Sequence, residues 1–257
     1  MNIALNAVAI RTLVRKETTR ILRIWVQTIV PPAITMTLYF IIFGNLIGRR
    51  IGTMDGFDYM QYIAPGLIMM SVITNSYGNV VSSFFGAKFA RHIEEMLVSP
   101  MSNSAIIVGH VAGGVIRGLL VGGLVTVVAL FFTQLQVAHP LIMISMVLLT
   151  SIVFSLMGFI NALYAKKFDD IALIPTFVLT PLTYLGGVFY SISLLPEFWQ
   201  SVSKANPILY MVNAFRYGIL GTSDISIGVA YAIVLFFVVT LFSVCLFLLN
   251  RGTGIRE

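Results

Sequence analysis

The sequence predicts an all-α integral membrane protein, and three observations support this: six long apolar stretches, few charged residues, and no catalytic or nucleotide-binding motif between the stretches. Each stretch is close to the roughly 20 residues that a helix needs to cross a bilayer's hydrocarbon core. Backbone polar groups in lipid must be paired within the segment, so six transmembrane helices are expected. The stretches cover residues 24–46, 62–85, 106–132, 141–164, 171–189 and 227–249.

The composition agrees with a membrane location. Of the 257 residues, 58% are hydrophobic and 10% are charged, whereas a soluble domain would carry about a quarter charged residues. No polar run is long enough for a second domain, so one transmembrane domain is expected over residues 24–254, after a segment over 1–23. The net charge of +6 does not indicate nucleic acid as a partner, because the basic residues lie at helix ends rather than on one face. Cys245 is the only cysteine and can form no internal disulfide.

Residues 1–23 have the pattern of an amphipathic helix. The first apolar run starts too late and is too long for a cleavable signal peptide. The pattern predicts a helix in the cytoplasmic interface whose basic side chains reach toward lipid headgroups. The alternative is a basic flank that only sets topology. The apolar positions are Ile3, Ala7, Ile10, Val14, Ile21 and Trp25, and the basic ones are Arg11, Arg15, Lys16, Arg20 and Arg23.

The distribution of lysine and arginine predicts that both termini are cytoplasmic. With the N-terminus inside, eleven basic residues lie inside and four lie outside, which satisfies the positive-inside rule. The internal residues are Arg11, Arg15, Lys16, Arg20, Arg23, Lys88, Arg91, Lys166, Lys167, Arg251 and Arg256. The external residues are Arg49, Arg50, Lys204 and Arg216, and Arg117 falls within the third span.

The internal connection over 87–104 contains a short amphipathic helix pattern that Pro100 ends. Ser102 or Ser104 is placed to cap the next span. A charged helix facing the cytosol at a membrane surface suits docking of a soluble partner. The alternative is a solvated turn. The apolar face consists of Phe89, Ile93, Met96 and Leu97, and the other faces carry Arg91, His92, Glu94 and Glu95.

The external connection over 190–226 is too apolar for an open loop and too interrupted by proline for a span. Two short helices that dip into the outer leaflet, forming a re-entrant helical hairpin, satisfy both facts, provided that protein shields the non-helical backbone. The alternative is a hairpin that lies on the surface without a role in transport. The breaks fall at Pro196, at Asn206–Pro207 and at Gly218.

The third span combines a glycine pattern with a charge. Gly114, Gly118 and Gly122 lie four residues apart, as do Gly109 and Gly113, and this spacing allows close helix contact without identifying a dimer face. Arg117 costs about 2.5–3.5 kcal/mol on insertion scales. It therefore faces protein, water or an interface, or it snorkels toward the cytoplasm.

Several kinds of chemistry find no support in the 257 residues. There is no GxxxxGK[ST] phosphate loop, no HExxH and no GxSxG. The spans contain no series of carboxylates for a proton relay, and His92, His110 and His139 are not grouped as metal ligands. The chain is therefore expected to have no enzymatic site, metal or cofactor of its own.

The segments identified so far resemble the ABC-2 type permease family. The resemblance rests on the basic N-terminal helix, six spans, a charged helix between spans two and three, and an LPxFW…NP…FRYG segment before span six. It also extends over RIWVQTIVPPAITMTLYFIIFGNLIG (23–48), YIAPGLIMMSVITNSY (62–77), SSFFGAKFARHIEEMLVSP (82–100) and FDDIALIPTFVLTPLTYLGGVFYS (168–191). It covers essentially the whole chain.

The resemblance implies a half-transporter of an ABC-type exporter in a bacterial inner membrane. Two permease subunits would pair, and two separately encoded ATPase subunits would bind ATP beneath them. In that family the helix between spans two and three couples to the ATPase, here over about 88–101, and the segment before span six forms re-entrant helices at the external mouth, here over about 194–217. The implied coupling residues are Lys88, Arg91, His92, Glu94, Glu95, Met96 and Leu97. The implied gate residues are Pro196, Phe198, Trp199, Asn206, Pro207, Phe215 and Arg216.

Two other classes of function stay open at this stage. One is a stand-alone channel or an ion-coupled secondary transporter, which would work from an ion gradient without ATP. The other is a scaffold in a membrane complex. Drugs, lipids and glycan carriers are all substrates of the family, and nothing in the sequence chooses among them.

Overall fold

The computed structural model describes residues 3–254, and the side chains of all of them except Ile3, Asn45 and Arg49. The predicted internal position of Arg256 therefore lies outside the described residues. The α-helices are α1 (Ile3–Arg23), α2 (Trp25–Tyr39), α3 (Gly48–Ile51), α4 (Tyr59–Phe89), α5 (His92–Val98), α6 (Asn103–Leu130), α7 (Pro140–Tyr164), α8 (Asp170–Ile174), α9 (Thr180–Leu185), α10 (Glu197–Lys204), α11 (Pro207–Leu220) and α12 (Ile227–Arg251).

Helix α4 is the centre of the bundle. It packs against α6, α7 and α11, and most of its side chains are buried. Its aromatic residues Tyr62, Tyr77, Phe84 and Phe85 are among the largest fully buried side chains. The protein is therefore all-helical around one core, as the sequence predicts.

The first apolar stretch forms an irregular helix. Pro31 and Pro32 lie inside α2, and α2 continues through a π-helical segment, Phe40–Ile47, into α3. Backbone groups that proline leaves unpaired account for irregular geometry of this kind. A two-residue strand, β1 (Thr53–Met54), then pairs antiparallel with β2 (Phe57–Asp58), in a hairpin that the sequence did not predict.

Four helical segments of the described chain are long and apolar enough to cross a membrane: Trp25–Gly44, Asn103–Leu130, Pro140–Tyr164 and Ile227–Arg251. They correspond to the first, third, fourth and sixth predicted spans. Helix α4 has 31 residues but is more polar, and Asp170–Leu185 is a shorter apolar helix that includes the π-helical segment Pro175–Leu179. The predicted fifth stretch reaches residue 189, whereas its helix ends at Leu185, because Gly187 adopts a left-handed backbone conformation. Six spans stay a prediction.

Several helix ends meet at one end of the bundle. At one end Nζ of Lys88, in the last turn of α4, donates hydrogen bonds to the carbonyl oxygens of Leu163 (2.7 Å) and Ala165 (2.8 Å) at the end of α7. At the same end Asn103 of α6 donates to Asn250 of α12 (2.7 Å). Helices α4, α7 and α12 therefore end, and α6 begins, at the same end of the bundle.

The glycines of α6 hold it against three neighbours. A methyl group added at Gly114 or Gly118 would collide with serine side chains of α4 and α7, and one at Gly113 would lie 2.7 Å from Cβ of Glu17 in α1. The predicted close helix contacts are thus present, and these glycines make them within one protomer.

Candidate functional site

The predicted coupling segment contains a helix shorter than the expected range of about 88–101. Helix α5 has seven residues, and Arg91, in the left-handed conformation (φ 58°), separates it from α4. Ser102, not Ser104, caps the following helix by accepting a hydrogen bond from the backbone N–H of Ala105 (3.1 Å). Phe89, expected on the apolar face of this short helix, belongs to α4 and lies against Phe168.

Helix α5 is anchored on one side and open on the other. Ile93 is only 3% exposed, whereas Val98 is 87% exposed and His92, Glu94, Glu95 and Leu97 are also exposed. Met96 is half-buried. This arrangement presents two carboxylates and apolar side chains to a partner. Lys88 differs from the other predicted coupling residues, since it ties α4 to α7.

The segment before the last long helix forms two short helices, as expected. Pro196 precedes α10, which exposes Phe198 and Trp199, with their rings in edge contact at 5.4 Å. Asn206 begins α11 by accepting a hydrogen bond from the N–H of Ile208 (3.0 Å), and its amide donates to the carbonyl of Leu182 (2.6 Å). Pro207 occupies the first turn of α11.

The predicted gate residues therefore divide between two environments. Phe198 and Trp199 lie on the surface, whereas Phe215 and Arg216 of α11 are buried among the long helices. Arg216 is 1% exposed, its Nη2 donates to the carbonyl of Gly187 (2.6 Å), and its guanidinium lies over the Tyr62 ring at 4.1 Å. Arg216 thus connects α11 to α4 and to the end of the fifth apolar helix.

A buried polar cluster joins α1 to the bundle, and sequence reasoning missed its central residue, Glu17. Glu17 is 0% exposed and accepts hydrogen bonds from Arg20 (2.9 Å), Asn79 (3.4 Å) and the Ser83 hydroxyl, and His110 lies 3.8 Å away. Burial alone would raise the pKa of Glu17, but His110, Arg20 and Ser83 together lower it below the usual value for glutamate.

The predicted apolar face of α1 is only partly right. Leu13, Glu17 and Ile21 form the buried stripe, whereas Ala7 and Trp25 are exposed. The reason is that α1 packs along α6, where Gly109 and Gly113 leave room for the Leu13 and Glu17 side chains. A sequence signal for this packing exists. Leu13 and Glu17 are four residues apart, as are Gly109 and Gly113, so the two side chains can lie against the two glycines on neighbouring helices.

Arg117 lies beside this cluster. Its Nε donates to Oδ1 of Asn75 (3.3 Å), which is the one hydrogen bond that its guanidinium makes among the described residues. It is half-buried and lies close enough to Arg20 for the two charges to repel each other. Both arginines contact amide side chains of α4, since Nη2 of Arg20 donates to Oδ1 of Asn79 (2.8 Å).

Comparisons with known proteins agree with this architecture. A family model described as "ABC-2 type transporter" matches residues 8–220. The chain belongs to the ABC-2 type transporter family. It is similar to the inner membrane transport permease YadH of Escherichia coli K12, with 59% identity over 97% of this chain and 98% of that protein. It is also similar to nodulation protein J of Rhizobium leguminosarum bv. viciae, with 24% identity over 83% of each chain. This protein is accordingly an inner-membrane permease subunit of an ABC transporter.

One surface of the permease follows α4 and is only partly covered by neighbouring helices. Along α4, Thr74 and Ser82 are exposed and Met70, Gly78 and Gly86 are half-buried, all at four-residue spacing. We call these five residues the α4 stripe. A cavity of about 170 Å³ opens between the stripe and the fifth apolar helix, and it is lined partly by the hydroxyl-bearing side chains Thr74, Thr180 and Thr183. Asn75 and Asn79, the partners of Arg117 and Arg20, are neighbours of the stripe on α4.

Proposed function

We propose that this permease is the membrane half of an ATP-driven exporter, in which two copies pair and two separate ATPase subunits dock on α5. The single observation that carries the proposal is the exposure of α5, in which Ile93 is buried while Glu94 and Glu95 are exposed. The distribution of lysine and arginine predicts that this end of the bundle is cytoplasmic. ATP is bound by the partner ATPase, and residues 24–254 form the transmembrane domain, with 1–23 as an N-terminal helix.

The exposed surface of α5 supports docking of a protein partner. Phe89, Leu97, Val98 and Phe168 leave apolar area in water around the two carboxylates. Burying apolar area contributes roughly 25 cal/mol per Å², and rim charges set partner choice and association rate. The fixed position of Ile93 and the hydrogen bonds of Lys88 support transfer of movement from α5 to α4 and α7.

Pairing of two copies is supported by the α4 stripe. Small and polar side chains at four-residue spacing on a partly exposed helix suit either a helix partner or a polar path. In the proposed dimer the stripe, the threonine-lined cavity and the two arginines beside them line the route of the substrate.

The segment over 194–217 is the proposed external gate. Exposed Phe198 and Trp199 on α10 suit contact with the outer leaflet or with the second copy, whereas Arg216 holds α11 to the bundle. Cross-linking of cysteines placed on α10 of both copies is expected to stop export while ATPase docking persists. Unimpaired export after complete cross-linking would rule the gate out.

Charge reversal tests the ATPase interface. In Glu94→Lys/Glu95→Lys the permease is expected to reach the membrane at normal levels, while ATPase co-purification and transport are lost. The matched control is Asp55→Lys/Glu197→Lys, which reverses two exposed acids in the predicted external connections. Normal ATPase association in the first variant would overturn the docking role, and ATP-independent transport that follows an ion gradient would favour a secondary transporter.

A further inference from the structure

A basic groove on α1 extends beyond Arg20, which is the one groove residue that the proposed substrate route uses. It has a volume of about 550 Å³ and is lined by cationic and hydroxyl side chains, with no carboxylate among them: Thr12, Arg15, Lys16, Thr19, Arg20 and Arg23. Arg15, Lys16 and Arg23 are exposed, and Glu17, on the opposite face of the helix, compensates Arg20 alone. The groove therefore offers hydrogen-bond donors with an excess positive charge.

The contacts of α1 show how deep the groove lies beside α6. Asn6 accepts a hydrogen bond from the N–H of Ser102 (3.0 Å), Leu13 lies against Gly109, and Glu17 lies against Gly113. The separation along the chain is the same in all three pairs, so the two helices run side by side in the same direction.

The same register places Arg20 and Arg23 beside α6 residues near positions 116 and 119. At 1.5 Å per residue this is roughly 20 Å beyond the beginning of α6. Helix α6 has 28 residues and is apolar enough to cross a membrane, so this part of the groove lies at the level of its middle. Charged side chains at such a depth face protein or water, because lipid tails do not solvate them.

A second copy of the chain has no acid to neutralise the groove at this depth. The chain contains ten acidic residues. Apart from Glu17, all of them lie in the connections between the six apolar stretches or at the C-terminal end: Asp55, Asp58, Glu94, Glu95, Asp169, Asp170, Glu197, Asp224 and Glu257. The countercharge must therefore come from a ligand or from ions in water.

The surroundings of the groove indicate an amphiphilic ligand. Exposed Leu22, Trp25 and Val26 continue the same helix and the start of the next. Their apolar side chains suit contact with acyl chains, while the arginines beside them offer planar donors that suit the paired oxygens of a phosphate. Arg20 is already oriented by Glu17 and Asn79.

We propose that this groove binds the phosphate group of an anionic amphiphile that enters from the cytoplasmic leaflet. The assignment of such amphiphiles as the transported class rests on the proposed export function, since the groove lies beside the α4 stripe. Binding itself requires no ATPase, so the two proposals can fail separately.

The test uses the full-length permease, purified in a neutral detergent, with short-chain phosphatidic acid as the probe. The groove variant is Arg15→Gln/Lys16→Gln/Arg23→Gln. The matched control, Arg11→Gln/Arg50→Gln/Lys204→Gln, removes the same charge from outside the groove. Native mass spectrometry is expected to show phosphatidic acid on the wild type and on the control, with at least tenfold weaker binding to the groove variant. Thr19→Asp places one negative charge in the groove and is expected to weaken binding of phosphatidic acid as well. This single variant tests the site if the triple variant does not fold.

Two further arms distinguish the source of the phosphate. Excess glycerol 3-phosphate or inorganic phosphate is expected not to displace the lipid, and phosphatidylcholine of the same chain length is expected to bind much more weakly. Displacement by the soluble phosphates at concentrations equal to that of the lipid would identify a free-phosphate site and overturn the amphiphile. Equal binding of phosphatidic acid to the groove variant and to the control would overturn the site itself. Equal binding of phosphatidic acid and phosphatidylcholine to the wild type would overturn it as well.

Discussion

Nη2 of Arg216 donates a 2.6 Å hydrogen bond to the carbonyl oxygen of Gly187, and so joins the helix before the last long helix to the end of the fifth apolar helix. Its Nε also donates to the carbonyl of Tyr62 (3.3 Å). A buried arginine that holds two backbone carbonyls acts as a structural tie between three parts of the predicted external end.

Arg216→Gln is expected to destabilise the permease by about 1–3 kcal/mol, because it leaves a buried carbonyl unpaired. Cys245 is 0% exposed, so a thiol-reactive dye reports unfolding of the purified protein as the temperature rises. Lys204→Gln, on the surface of α10, is the control and is expected to unfold with the wild type. Identical unfolding temperatures for both variants would contradict the tie.

Single-cysteine labelling checks the topology. In a Cys245→Ala background, cysteines at Asp55 and Lys204 are expected to react with an impermeant reagent from outside the cell. Cysteines at Arg91, Lys166 and Arg256 are expected to react only after the membrane is opened. External reaction at position 91 would reverse the orientation of the bundle and remove α5 from the cytoplasm.

Glu17→Gln is expected to weaken the attachment of α1, because hydrogen bonds to a charged group contribute about 1.5–3 kcal/mol. The pKa of Glu17 in the folded state lies below its usual value. Its stabilisation is therefore fully present above the unfolded value, near 4.3, and is lost as pH falls through the folded value. The charged or titratable groups that face it are Arg20 and His110.

Unfolding measured by dye labelling at pH 7 is expected to separate Glu17→Gln from the wild type, and the difference is expected to shrink below roughly pH 4. Glu197→Gln, exposed on α10, serves as the control. A constant difference across this range would show that the carboxylate charge does not carry the effect.

The sequence could predict the helices but not their neighbours. Apolar length located the helical stretches, and Asn206–Pro207 located the break between α10 and α11. The burial of Glu17 depends on contacts with α4 and α6 that are distant along the chain, so the pattern of residues 1–23 did not single out this acid. Lys88 was likewise predicted to be a coupling residue. The sequence could not show its structural role, because its carbonyl partners lie far along the chain, at the end of α7.

Arg117→Leu is expected to change transport more than membrane insertion. Leucine is favourable within a span where arginine is costly by about 3 kcal/mol, so the amount of protein in the membrane stays level or rises. Transport is expected to fall, because the charge beside the α4 stripe is lost. Arg117→Lys keeps the charge and is expected to retain part of the transport. Unchanged transport of every tested substrate by Arg117→Leu would make Arg117 a residue without a transport role.

Two glycines of α6 offer a matched test of how α1 is attached. A methyl group at Gly113 would lie 2.7 Å from both Cβ and Cγ of Glu17, whereas one at Gly123 would meet no atom within 4 Å. Gly113→Ala is expected to push α1 away from α6 and to cost about 1–3 kcal/mol, the usual range for overpacking. Gly123→Ala is expected to be neutral or to stabilise by up to about 1 kcal/mol, because alanine favours helix more than glycine does. Both variants are measured by labelling of Cys245 during heating. If the two unfold at the same temperature, α1 is not held against α6 by this close contact, and the depth assigned to the basic groove loses its support.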